Sequence, residues 1–190
     1  MQESVKKSRF GAGVWFVLAL VAVMAVYTLV FRRGAQGEAI AADDRRELAN
    51  FTVPTIEGGT WSLADQKGKV VLVNFWATWC PPCRAETPDL VAVANKYRDQ
   101  GLTVVGISLD QGTPEDLKQK LGAFAKDFNV SYPIATPGSS DVAEGISSIP
   151  VTLLLDRQGR VANRFVGAVD QKTLSTAIEA LLAEQAPQPK

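Results

Sequence analysis

At 190 residues, 46 % of them apolar, the chain can bury one sizeable core, and with a non-globular N-terminus set aside only one ordinary domain remains. Twenty basic residues balance twenty acidic ones, and no basic stripe interleaved with aromatics is present, so nucleic acid is not an expected partner. With no histidine and only two cysteines, a histidine base, a four-ligand zinc site and a secreted disulfide framework are set aside; thiols, carboxylates and backbone carry the chemistry, without a cofactor or metal.

Residues 1–10 are polar, carry Lys6, Lys7 and Arg9, and read as a cytoplasmic N-terminus. From Val14 to Phe31 the chain is apolar except for Tyr27 and Thr28. As helix that run spans about 27 Å, close to the hydrocarbon thickness of a bilayer, so residues 11–31 are expected to be a transmembrane anchor. Signal-peptide cores are shorter, about 7–15 residues, so the anchor is expected to be retained, although Ala39-Ile40-Ala41 has the form of a cleavage site. Arg32 and Arg33 follow the run just as Lys6, Lys7 and Arg9 precede it, and the charges alone leave its orientation open. Residues 32–48 combine Ala, Gly and charge without an apolar period and read as a linker.

A single domain is expected over 49–186, with 187–190 as a tail. Phe51-Thr52-Val53-Pro54 and Trp61-Ser62-Leu63 flank a Gly58-Gly59 turn signal and predict a small hairpin. Val70 to Trp76 is β-branched and aromatic throughout, the pattern of a central strand buried on both faces. After the cysteines, Leu90, Val91, Ala94 and Tyr97 fall at helical spacing up to Gly101. Leu102 to Leu109 is a second buried strand, parallel to the first across that helix, which makes the fold class α/β. Thr113-Pro114 starts a helix whose apolar face is Leu117, Leu121, Phe124 and Phe128. A short strand is expected over Tyr132 to Ala135, a helical turn over Ser139 to Glu144, and a strand over Ile149 to Leu155 entered through proline. The turn Asp156-Arg157-Gln158-Gly159 leads antiparallel into Arg160 to Val166, and Asp170 caps a last helix with Leu174, Ile178, Leu181 and Leu182 inside.

The chemistry converges on Cys80-Pro81-Pro82-Cys83, where the central strand gives way to a helix. Cysteines three apart at a helix start share one face and can bond, and the first meets the positive end of the helix dipole. Cys80 is therefore the expected nucleophile and Cys83, one turn deeper, the resolving thiol. Pro81 and Pro82 carry no amide hydrogen, so two donors near the Cys80 sulfur are missing; the thiolate should be less stabilised and the couple more reducing. Glu86, at Cys83 plus three, shares the cysteine face and reads equally as a site acid or as a solvated first-turn glutamate.

Phe75-Trp76-Ala77-Thr78-Trp79-Cys80-Pro81-Pro82-Cys83, with Ile149-Pro150 and Leu153-Leu154-Leu155-Asp156-Arg157-Gln158-Gly159, resembles the thioredoxin superfamily and, more narrowly, the membrane-tethered TlpA/ResA-like thiol-disulfide oxidoreductases. The resemblance implies a thioredoxin-like fold, a central mixed sheet flanked by helices, with an N-terminal hairpin and an inserted helix-strand near 113 to 135. It implies a catalytic domain on the periplasmic side of the cytoplasmic membrane, acting as a reductant on disulfide-containing client proteins, apocytochrome c maturation among the pathways, and recharged by a transmembrane thiol donor of DsbD/CcdA type. It makes Pro150 a cis-proline that leaves Ile149 free to pair with substrate, places Trp79, Pro81 and Pro82 in the substrate-contacting surface, and matches Glu86 to an acid that tunes the site. Asn74 stands where thioredoxin proper has a buried Asp, and an amide cannot take up that proton. A peroxiredoxin-like peroxidase fits less well, because Thr78 stands two residues before Cys80 where the Pro-x-x-x-Thr-x-x-Cys signature needs three. A Cu(I)-binding assembly factor holding the metal between the two thiols is a further alternative.

Overall fold

In a computed structural model, residues 15, 17–24 and 37–184 are described. The apolar segment expected as an anchor lies mostly outside them; residues 15 and 17–24 are helical with exposed side chains, and among the described residues no helix is long and apolar enough to cross a membrane. Residues 1–34 and 35–190 form separate units, and the second carries the sheet.

Its sheet has six strands, β1 (Glu38–Ala39), β4 (Val70–Trp76), β5 (Leu102–Ser108), β6 (Ile134–Ala135), β7 (Val151–Leu155) and β8 (Val161–Val166), in the order β1-β8-β7-β4-β5-β6. The hairpin β2 (Thr52–Pro54) and β3 (Thr60–Ser62) stands apart as its own two-stranded sheet. Strand β4 is central as expected: all seven residues are buried, and it runs parallel to β5 and antiparallel to β7. Helices α1 (Pro81–Tyr97), α2 (Pro114–Asp127) and α3 (Gln171–Ala183) flank the sheet.

The two-residue period of β4 sorts the core. Val70 and Leu72 point to one face, where α1 supplies Leu90, Val93 and Tyr97 and α3 supplies Leu174, Ile178 and Leu181. Val71, Val73 and Phe75 point to the other, covered by Phe51, Val53, Trp61 and Leu63 of the hairpin region. Helix α2 closes a third cluster with Leu121 and Phe124 against Trp76, Cys80 and Cys83. The inner face of α1 thus uses Val93, while Val91 is only half-buried, because the helix begins at Pro81 and its buried row runs from Cys83 through Glu86 and Leu90.

Three stretches differ from expectation. The linker stretch docks over its second half: β1 pairs with β8, the Leu48 amide donates to Gly159 O at 3.0 Å, and Arg45 bonds Asp156 and Glu184. Backbone pairing and an ion pair need no apolar period, so the composition gave no sign of it. Ser139 to Glu144 forms hydrogen-bonded turns, not a helical turn, with Glu144 N on Asp141 O at 2.7 Å. The strand expected over Tyr132 to Ala135 is confined to Ile134–Ala135, and the hairpin borders it through the Ile56 amide on Ile134 O.

Candidate active site

Helix α1 begins directly at the end of β4 after a three-residue loop, Ala77 to Trp79, so the strand terminus fixes where the helix dipole points. Cys80 is its N-cap, in extended conformation, and Pro81 and Pro82 occupy the first two helical positions. The two cysteines form a disulfide with Cα atoms 5.3 Å apart. Both are nearly inaccessible, whereas Trp79 is 66 % exposed and Pro81 and Pro82 are exposed, so the disulfide lies under a rim of apolar side chains. The prolines do remove two amide donors, but the next amide compensates in part: Cys83 N donates to Cys80 Sγ at 3.2 Å.

Glu86 is 2 % exposed, which rules out the solvated first-turn alternative. Its position follows from two periods acting together. Three residues beyond Cys83 it stays on the inner face of α1, and Asn74, at an even position of β4, projects toward that same helix. Asn74 Nδ2 donates to Glu86 Oε1 at 2.8 Å and to Thr152 Oγ1 at 2.9 Å, and the Val169 amide donates to Glu86 Oε2 at 3.2 Å. Asn74 and Thr152 are register partners across β4 and β7. Burial pushes the Glu86 carboxyl up to about 7, against the opposing bonds from Asn74 and Val169, and the charge of Asp89 adds to the rise. A carboxyl poised near neutrality one helical turn beyond Cys83 can hold or release one proton at working pH.

The Ile149–Pro150 bond is cis, as expected. Ile149 packs half-buried against the cluster that contains both cysteines, and among the described residues neither its amide nor its carbonyl has a hydrogen-bond partner. Pro150 O instead accepts from Gly167 N at 2.9 Å. An extended segment passing the disulfide could therefore pair with Ile149.

Asp110, Ser108, Thr152 and Val169 are site neighbours that the sequence reading missed. Asp110 Oδ2 accepts from Thr78 N at 2.8 Å and its Oδ1 from Thr78 Oγ1 at 2.7 Å, two residues before the N-cap cysteine. Its only sequence signal is an acidic residue right after a buried strand, at the carboxyl end where such sheets place ligands. Arg84 lies over the rings of Phe124 and Phe128, 5.5 and 5.1 Å from their centroids, and its Nη1 donates to Thr78 O at 3.4 Å.

The AhpC/TSA family profile matches residues 45–183. The chain is 30 % identical over 131 residues to the thiol-disulfide oxidoreductase ResA of Bacillus thuringiensis, covering 68 % of this chain and 73 % of that one. It is 28 % identical to the ResA of Halalkalibacterium halodurans over 184 residues, 94 % of this chain and 98 % of that one. Among solved structures, a thiol:disulfide interchange protein of the thioredoxin family from Chlorobium tepidum superposes with a TM-score of 0.65 at 30 % identity, covering 75 % of this chain and all of the other.

Proposed function

The chain belongs to the AhpC/TSA family and, within the thioredoxin superfamily, to the ResA-like thiol-disulfide oxidoreductases, and we propose that it works as a membrane-anchored reductant of extracytoplasmic client proteins through Cys80 and Cys83. The observation that carries this reading is the placement of the pair: a nearly buried disulfide at a helix N-terminus, rimmed by Trp79, Pro81 and Pro82 and backed by the buried Glu86. In the reduced enzyme the Cys80 thiolate attacks one sulfur of a client disulfide, breaking that bond; the other client sulfur leaves as a thiolate and takes up a proton, and a mixed disulfide remains on Cys80. Cys83 loses its proton, attacks Cys80 Sγ and expels the client thiolate, which takes up a proton; the client gains two electrons and the enzyme regains its disulfide. Glu86 accepts the Cys83 proton, a role that Asn74 in its place on β4 cannot fill. The unpaired backbone of Ile149 and the exposed Trp79 hold the client segment.

The apolar run at 11–31 supports anchoring in the cytoplasmic membrane, with the catalytic domain on the periplasmic side and a transmembrane thiol donor of DsbD/CcdA type restoring the dithiol. Apocytochrome c is the leading client, and trapping on a Cys83→Ser chain followed by identification of the mixed disulfide tests it. The two missing proline amides support the reducing direction: among the described residues the Cys83 amide is the one hydrogen-bond donor to Cys80 Sγ. Equilibration with glutathione should give a potential nearer about −250 mV than the about −120 mV of a strong oxidase. A value at the oxidase end overturns the reductant reading.

A further inference from the structure

Asp110, two residues beyond the end of β5, is 4 % exposed, and two of the three hydrogen bonds its carboxylate accepts come from one residue of another segment. Both carboxylate oxygens receive Thr78, one its amide and the other its hydroxyl, at 2.8 and 2.7 Å. Ser108 Oγ donates to Oδ2 at 2.8 Å, the Asp110 amide donates back to Ser108 Oγ at 3.1 Å, and Lys120 Nζ of α2 stands 3.5 Å from Oδ1. Burial would raise this carboxyl, but the Thr78, Ser108 and Lys120 contacts outweigh it and keep it below its usual range, so it is an anion at neutral pH. A buried anion is costly where a neutral or apolar side chain would fill the space, so its retention beside the loop asks for a positional reason. Thr78 is the middle residue of the loop between β4 and α1, and the Cys80 amide donates to Ala77 O at 3.2 Å. Fixing the peptide and the side chain of Thr78 together fixes the turn that delivers Cys80.

We propose that Asp110 is the positioning residue that holds the Cys80 loop in the geometry in which the Cys80–Cys83 disulfide closes, and that it thereby sets the thiol-disulfide equilibrium of the pair. The proposal rests on reading Cys80 and Cys83 as the reacting pair. An intramolecular disulfide is favoured by the effective concentration of one thiol at the other, which falls when the segment carrying either is loosened. The reaction is protein dithiol plus oxidised glutathione giving protein disulfide plus two reduced glutathiones; two protons and two electrons pass to glutathione.

The test is this equilibrium, measured on the full chain by alkylation and mass spectrometry for wild type, Asp110→Ala, Asp110→Asn, Thr78→Val and Thr113→Ala. Asp110→Ala should shift the equilibrium about tenfold toward the dithiol, about 30 mV for a two-electron couple. Thr78→Val keeps the amide bond to Asp110 and should shift it about threefold in the same direction; Asp110→Asn should fall between. Thr113→Ala weakens the start of α2 without touching the loop and should stay within about twofold of wild type. If Asp110→Ala does not fold, Thr78→Val and Asp110→Asn decide. The proposal is overturned if the Asp110 and Thr78 variants match wild type within about twofold, or if Thr113→Ala shifts as far as they do, since the effect is then general loss of stability. A wild-type chain that does not equilibrate through Cys80 and Cys83 overturns the reading of the pair instead.

Discussion

Glu86 is both buried and within one helical turn of Cys83, and its raised pKa ties site chemistry to stability. Between its ordinary 4.5 and about 7 the folded chain binds a proton that the unfolded chain has lost, so stability falls as pH rises through that window and levels off above it. A shift of this size corresponds to about 3 kcal/mol. Gln at this position can keep the bond from Val169 and, with the Asn74 amide turned, bond Asn74 as well. The expected outcome for oxidised Glu86→Gln is a gain over wild type that grows by about 2–3 kcal/mol between about pH 5 and about pH 8 in urea unfolding. Parallel pH profiles for the two chains would refute it. Reductase turnover in the same variant should fall and lose its dependence on pH near neutrality, because the amide cannot take the Cys83 proton.

Elements hold the site by close approach as much as by bonds. A Cβ on Gly106 of β5 would meet Trp76 Nε1 at 2.9 Å and Tyr132 at 3.3 Å, so strand and indole touch directly behind the cysteine cluster. Gly106→Ala should cost about 1–3 kcal/mol in urea unfolding and displace the Trp76 fluorescence; an unchanged midpoint and spectrum would contradict this contact. At the N-terminal edge, the Arg45 side chain is 8 % exposed and joins Asp156 at 3.2 Å and Glu184 at 2.8 Å, tying the segment before β2 to the β7–β8 turn and the end of α3. Arg45→Met should make residues 37–48 the first site of limited proteolysis while the rest of the domain stays folded. Cleavage elsewhere first would contradict the clamp.

For the whole molecule, opposing carboxyls shape stability. Asp156, buried and bonded by Arg160, Gln158 and Arg45, and Asp110, bonded by Thr78 and Ser108, have lowered pKa values. Their contribution is present above about pH 4 and is lost as pH falls through their folded values, while Glu86 acts in the other direction above it. Urea unfolding of the oxidised chain should therefore show its optimum on the acid side of neutrality, near about pH 5; an optimum above pH 7 would be inconsistent with a Glu86 carboxyl raised by burial. What the sequence disclosed follows a physical divide. Cys80, Cys83, the β4 run and the α1 start are contiguous, so periodicity and capping reveal them. Thr152 reaches Asn74 through strand register, Val169 reaches Glu86 from the far side of β8, and Asp110 reaches Thr78 across the parallel pair β4 and β5. None of these meetings leaves a local pattern, and the docking of residues 38–48 was hidden because pairing and charge, not apolar period, produce it.

In the proposed reaction Cys80 attacks and Cys83 resolves. Single-cysteine chains Cys83→Ser and Cys80→Ser, incubated with a disulfide-containing peptide and mapped by mass spectrometry, address it most directly. A stable mixed disulfide is expected on Cys80 of the first chain, at the helix N-cap, and slow or no adduct on Cys83 of the second, which lies inside the helix. An adduct that forms equally fast on Cys83, or none on Cys80, would contradict it.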